Sequence, residues 1–276
     1  MGADAFRYDG KRALVVGGAT GMGNETARLL LDLGAEVVVM DHAVVDIARV
    51  ETIKVDLRER SSIDAALETC GGPIDALFAC AGAADGTPGI ERINFIGHRH
   101  LIESAVASGA LPRGGAIGVI SSSSGLGWEA QLDLINTLLD TPDFDAAVEW
   151  FETHESVKHY MFTKRAMSQY VARQSVGLLK QGVRINALLP GPTDTPLAQA
   201  NRELWLEFGK DYREAVGIST STPSEQAHAL VFLCSDAASY INAATLVADA
   251  GWCSAGLSGG FPAATDAVHF LMGRFG

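Results

Sequence analysis

No apolar run in this chain approaches the roughly 18 residues that a membrane-spanning helix requires. The opening Met-Gly-Ala-Asp-Ala-Phe-Arg holds no apolar stretch of the secretory kind, and Phe6 stands where a myristoylation signal would want Ser or Thr. Cysteine is scarce: Cys70, Cys80, Cys234 and Cys253 are scattered, without a C-x-x-C pair or a Cys/His cluster. A disulfide scaffold is therefore excluded, no metal is expected, and the thiols read as buried groups in a reducing cytoplasm. Basic runs are missing too. With 33 acidic against 21 basic residues and a net charge of −12, neither nucleic acid nor an anionic membrane is expected as a partner. Repeats, linkers and low-complexity segments are absent as well. The 276 residues, 47% of them hydrophobic, are expected to form one domain, 1–276, around a substantial core.

Glycine, by contrast, is plentiful at 30, as a chain of many tight turns needs. Short apolar runs at 13–17, 36–40, 52–55, 76–79, 116–121, 184–189 and 245–248 alternate with helical patterns near 22–33, 61–70, 90–109, 156–181 and 224–235. Near-continuous apolar strands joined by crossover helices predict an α/β fold: a doubly wound Rossmann domain with a seven-stranded parallel sheet and helices on both faces. Two stretches break the rhythm. Segment 125–155 predicts two short amphipathic helices, and 192–222 is rich in leucines and aromatics that suggest a mobile lid over an apolar substrate. Ordinary packing helices would account for either stretch equally well.

The first strand runs into Gly17-Gly18-Ala19-Thr20-Gly21-Met22-Gly23 and then a helix. In that context Gly17 permits a tight turn, Gly21 allows close approach of a pyrophosphate, and Gly23 allows the helix to pack on the strand. Thr20 and Met22 fall in the same loop. Asp41 ends the second strand, where a carboxylate can accept both ribose hydroxyls of an adenosine and repel a 2′-phosphate. His42, the next residue, is the only nearby group that could tolerate that phosphate, so NAD is expected rather than NADP. Asp56, placed at the end of the third strand and followed by Leu57, either bonds the adenine amino group or caps the next helix. Further on, Tyr160 and Lys164 lie four apart in a helical stretch, which puts an ammonium beside a phenol and favours its phenolate.

Taken in order, Gly17-x-x-x-Gly21-x-Gly23, Ala81-Gly82 after the fourth strand, Asn94 on the next helix, Ser122 after the fifth strand, Tyr160-x-x-x-Lys164 and Pro190-Gly191 after the sixth resemble the short-chain dehydrogenase/reductase family over about residues 10–255. Within it, Ala79-Cys80-Ala81-Gly82, the segment 190–197 and the insertion before Tyr160 look most like bacterial 3α-hydroxysteroid dehydrogenase/carbonyl reductases. The resemblance implies Tyr160 as general acid–base, Lys164 holding the nicotinamide ribose and lowering the tyrosine pKa, and Ser122, with Ser123 as the alternative, orienting the substrate oxygen. Asn94 would support the lysine through a water, unless it is merely solvated. Thr193 and Thr195 would hold the carboxamide, with Ile120 and Pro190 against the ring and Cys80, Ala81, Gly82 and Gly191 along the cofactor.

Departures from the family pattern are Cys80 where Asn is usual, Ala250 where Gly is usual, the long stretch between Ser122 and Tyr160, and an additional tail, 256–276. The substitution at 80 requires a backbone-holding contact to be replaced or lost. The resemblance also implies a homodimer or homotetramer, and the position of 126–155, joining the serine loop to the catalytic helix, is expected to put it over the active-site entrance or at a subunit interface. The expected activity is NAD-dependent hydride transfer with a hydrophobic secondary alcohol or ketone: a hydroxysteroid, a terpenoid or another cyclic alcohol. A catalytically silent dinucleotide-binding sensor or scaffold is the alternative, disfavoured by the intact Ser-Tyr-Lys-Asn set. An acyl-carrier-protein ketoreductase is disfavoured by the acidic surface and the lack of a basic 2′-phosphate site.

Overall fold

In the computed structural model, which describes residues 2–274, the apolar runs become seven strands. These are β1 (Arg12–Val16), β2 (Glu36–Asp41), β3 (Glu51–Lys54), β4 (Ala76–Ala79), β5 (Ala116–Ile120), β6 (Arg184–Pro190) and β7 (Thr245–Ala248). All pair in parallel, in the spatial order β3-β2-β1-β4-β5-β6-β7. Central strands β4 and β5 are buried along their whole length, which explains their unbroken apolar composition. Edge strand β3 is mostly open to solvent, and edge strand β7 is mostly half-buried. Asp56 therefore lies two residues beyond β3 rather than at its end.

Successive strand residues feed opposite layers. Leu14, Val16, Ile117 and Val119 join a core with α2 (Arg60–Cys70), α3 (Gly97–Ala107) and α6 (Tyr160–Gln181). Ala13, Val15, Ala116 and Ile120 pack under α1 (Gly21–Asp32) and α10 (Pro223–Cys234). Gly118 belongs at the centre of β5 because a Cβ there would stand 2.8 Å from Cys234 Sγ. The result is a doubly wound Rossmann-like domain. Its strand order reverses at β1, which opens a crevice at the carboxyl ends of the strands.

The stretch 125–155 holds α4 (Leu132–Leu139) and α5 (Phe144–Thr153). Their apolar faces, Ile135, Leu138, Phe144, Ala147 and Phe151, enter the same core as α6. None of residues 125–155 lines the crevice, so the entrance role expected for them is not where the structure puts them. Burial decides this: the apolar stripe that looked free to cover a site is used against α6. A polar row on α6 fastens α4 in place, with Gln169 Nε2 donating to Asn136 Oδ1 at 2.7 Å and Arg173 bonding Asp140. Segment 192–222 forms α7 (Pro196–Ala200), α8 (Arg202–Trp205) and α9 (Lys210–Val216), and the tail forms α11 (Trp252–Ser258) and α12 (Thr265–Leu271). The last two residues of the tail, 275 and 276, lie outside the described residues. No described helix is long and apolar enough to cross a membrane.

Candidate active site

A cleft of about 710 Å³ opens at the carboxyl ends of the strands. Its walls contain every site residue expected from the sequence except Asn94: Gly17, Thr20, Gly21, Met22 and Gly23; Asp41, His42, Asp56 and Leu57; Cys80, Ala81 and Gly82; Ile120 and Ser122; Tyr160 and Lys164; Pro190, Gly191, Thr193 and Thr195. The glycine loop is tight. Gly17 has φ +90°, and a Cβ on it would lie 2.4 Å from Ala81 Cα; one on Gly23 would lie 2.0 Å from the Gly17 oxygen. Thr20 makes no side-chain capping bond to the first turn of α1, so that turn offers N–H groups to an anion.

Asp41 is nearly buried, and each of its oxygens accepts a backbone N–H at 2.9 Å, Oδ2 from Ala19 and Oδ1 from Ala43. His42 Nδ1 stands 3.1 Å from the same carboxylate. Asp56 does not cap α2: it accepts from the Arg58 backbone N–H and pairs with the Arg58 guanidinium at 2.6 Å. Chiefly through that side-chain bond, its carboxyl is held down at about 2. Arg58 also lines the cleft, a cation that the sequence motifs did not single out.

At the other end, Tyr160 is the first residue of α6, its backbone N–H donating to Asp85 Oδ1 at 2.6 Å. Removal from water pushes its phenol up to about 12; a hydrogen bond with Ser122 pulls the other way. Ser122 is thus the serine that meets the phenol, whereas Ser121 Oγ donates to the Lys164 carbonyl at 2.8 Å and is structural. Lys164 is buried, donates from Nζ to the Ile120 carbonyl at 3.0 Å and lies 5.5 Å from the Tyr160 ring centroid. Desolvation lowers its ammonium to about 8. Loss of solvation sets the net shift of the phenol, which is upward in this geometry.

Asn94 stands behind the wall on a π-helical turn, Arg92–Ile96, that runs into α3. It is buried, not solvated. Its Oδ1 accepts from the Ala83 N–H at 2.7 Å, and its Nδ2 donates to the Ala83 carbonyl at 3.0 Å. One turn on, buried His98 holds the Ala81 carbonyl at 3.0 Å. A carbonyl only accepts, so Nε2 carries the proton; Nδ1 has no partner, and burial lowers the imidazole to about 4. Asn94 and His98 clamp the strand end that follows Cys80, where the family's usual Asn is missing. His98 was legible only as a residue four past Asn94 on one helix face. The hydroxyls of Thr193 and Thr195 serve their own loop, the first bonding Ser221 Oγ at 2.8 Å and the second capping α7.

Beyond Tyr160 the cleft turns apolar, with Met161, Leu197, Leu204, Trp205, Phe208 and Phe270 on its walls. Trp205 lies 4.8 Å from the Tyr160 ring. Among the described residues no cluster could hold a metal ion.

Comparison with known proteins agrees with this layout. Residues 11–130 match the family model described as short chain dehydrogenase, and residues 145–253 match one described as enoyl-(acyl carrier protein) reductase. The coniferyl-alcohol dehydrogenase of a Pseudomonas strain is 29% identical, over 88% of this chain and 97% of its own length. The 3-alpha-hydroxysteroid dehydrogenase/carbonyl reductase of Comamonas testosteroni is 27% identical, over 86% of this chain and 95% of its own. Among solved structures, the 3-alpha-hydroxysteroid dehydrogenase of a Pseudomonas species, complexed with NADH, superposes with a TM-score of 0.72 at 26% identity, covering 91% of this chain and 99% of that one.

Proposed function

This chain belongs to the short-chain dehydrogenase family, and on that premise we propose that it is an NAD-dependent oxidoreductase of hydrophobic secondary alcohols and ketones with Tyr160 as general acid–base. The observation that carries the reading is one cleft holding, at one end, a glycine cradle beside a fixed carboxylate and, at the other, Ser122, Tyr160 and Lys164 under an apolar roof. The cradle fits a dinucleotide, since side chains at Gly17 or Gly23 would fill it. Bound there, the nicotinamide would supply or take the hydride. Gly21, Met22 and the first turn of α1 would hold the pyrophosphate, and Asp41 the adenosine ribose. Arg58 is engaged by Asp56 and so is poorly placed to greet a 2′-phosphate, which supports NAD over NADP.

Ser122 would orient the substrate oxygen beside the phenol. A phenol near 12 is protonated at neutral pH, ready to donate to a carbonyl oxygen during reduction. Oxidation needs the phenolate, which the nearby positive charges of Lys164 and of the oxidised cofactor would favour. The apolar roof supports a hydrophobic cyclic or aryl alcohol, in keeping with the names of the two curated relatives. A silent scaffold would have no use for a serine bonded to a dry tyrosine. Because α4 covers much of α6, assembly is expected to stop at a homodimer rather than a tetramer.

The test is absorbance at 340 nm with NAD⁺ or NADP⁺ and a panel of cyclic and aryl secondary alcohols. NAD⁺ should support at least tenfold higher kcat/KM; Asp41→Ala should narrow that preference. A preference for NADP⁺, or no turnover with any alcohol, would sink the reading.

A further inference from the structure

The cleft's apolar end has a wall outside both family-matched segments. Phe270 and Leu271, on α12, line the cleft together with Met161 of α6, Leu204 and Trp205 of α8, and Phe208. This helix is docked, not loose. Val268 and Leu271 are buried with Trp252 and Cys253 of α11, and Met161 and Phe208 pack on the same cluster. The tail, the lid segment and the helix that begins with Tyr160 thus share one small core, separate from the two cores that flank the sheet.

A buried cation fixes that arrangement. Arg165, five residues past Tyr160, donates from Nη2 to the Leu271 carbonyl at 2.9 Å, from Nε to the Leu126 carbonyl at 3.1 Å and from Nη1 to Gln131 Oε1 at 2.8 Å. All three partners are neutral oxygens, and the Leu271 carbonyl is the last of α12, where the helix dipole favours a positive charge. Burying a guanidinium without a paired carboxylate costs stability, and at this position the return is geometric. Gly127 completes the contact. It has φ +65°, and a Cβ there would stand 2.4 Å from the Met272 carbonyl carbon, so any side chain would push the tail away.

We propose that α12 is a substrate-selecting wall of this site: Phe270, lining the same cleft as the lid's Trp205, grips a rigid uncharged ring attached directly to the carbinol carbon, and Arg165 is the positioning residue that holds the wall against α6. The Trp205 ring beside Tyr160 puts the apolar slot next to the phenol, which favours a ring at the reacting carbon over a flexible chain. The inference rests on the oxidoreductase reading for its substrate but on tail geometry for its residues.

Two measurements separate the claims. The first compares kcat/KM for 1-phenylethanol and propan-2-ol in wild type, Phe270→Ala, Phe270→Leu and Arg165→Lys. The second is calorimetric titration of acetophenone into NAD⁺-loaded enzyme, a pair that cannot react. Phe270→Ala should lower kcat/KM for 1-phenylethanol about tenfold and weaken acetophenone by a similar factor, leaving propan-2-ol and NADH affinity within about twofold. Phe270→Leu should recover part of the loss, and Arg165→Lys should raise KM for the ring alcohol more than it lowers kcat. Equal losses on both alcohols, or unchanged acetophenone affinity in Phe270→Ala, would overturn the wall. Acetophenone binding that depends on Phe270 in an enzyme that oxidises neither alcohol would overturn the oxidoreductase reading and leave the wall standing.

Discussion

The residues that matter most in this cleft are those held dry. Tyr160 up at about 12 and Lys164 down at about 8 are both shifted toward their neutral forms, because burial penalises charge on each. Alcohol oxidation, which needs the phenolate, should therefore accelerate roughly tenfold per pH unit through the alkaline range below the working pKa of the ternary complex, while ketone reduction falls at high pH; kcat profiles in both directions check this. His98 carries a second pH dependence. Its folded-state value of about 4 lies below the ordinary 6.5, so the unfolded chain binds more protons between those values and stability falls as pH drops through that window. The full shift is on the order of 3 kcal/mol. His98→Gln should flatten the acid limb of a denaturation-midpoint series, and an unchanged limb would show that another group governs it. Motif residues such as Gly17, Ser122 and Tyr160 were legible because their chemistry needs fixed spacing. Arg58 and His98 were not, because each acts through a neighbour, Asp56 or the Ala81 carbonyl, that only the folded chain identifies.

Among elements, strands read well and boundaries with other helices read poorly. Runs buried on both faces leave an unbroken apolar signature, so β4 stands where the sequence placed it; edge strand β7 does so too, and the rest shift by a residue or so. The stripe on α4 and α5 was equally visible, yet a stripe does not say what it covers: α6, not the cleft, takes it. Asp56 shows the same limit at a loop, where an acid before a helix offered either an adenine contact or a cap, and the cap is not made because it pairs with Arg58. The glycine loop gives the sharpest element-level prediction. Gly23→Ala drives a Cβ to 2.0 Å from the Gly17 oxygen, so α1 must move off the strand end. A loss of about 1–3 kcal/mol in stability is expected from such overpacking, with NADH affinity down at least tenfold. Thermal melts and NADH fluorescence titration read both. Normal affinity in a folded variant would mean that the cradle is not the cofactor site.

At the scale of the molecule, seven parallel strands bring groups from the whole chain to one cleft at their carboxyl ends: a carboxylate from residue 41, a serine from 122, a phenol from 160 and a wall from 270. Composition could bound this outcome and could not draw it, since acidic solubility and a large core fit many folds. With α4 fastened along α6 by Gln169 and Arg173, light scattering should return the mass of a homodimer, and a clean tetramer would contradict that assembly. On the proposed reading a single phenol moves the proton while the cofactor is held independently of it. That reading is tested most directly by Tyr160→Phe, assayed at 340 nm with NAD⁺ and the best ring alcohol, beside NADH titration of the same protein. Turnover at least a thousandfold lower with NADH affinity within about twofold of wild type is the expected result. Turnover preserved in the phenylalanine variant would contradict the account.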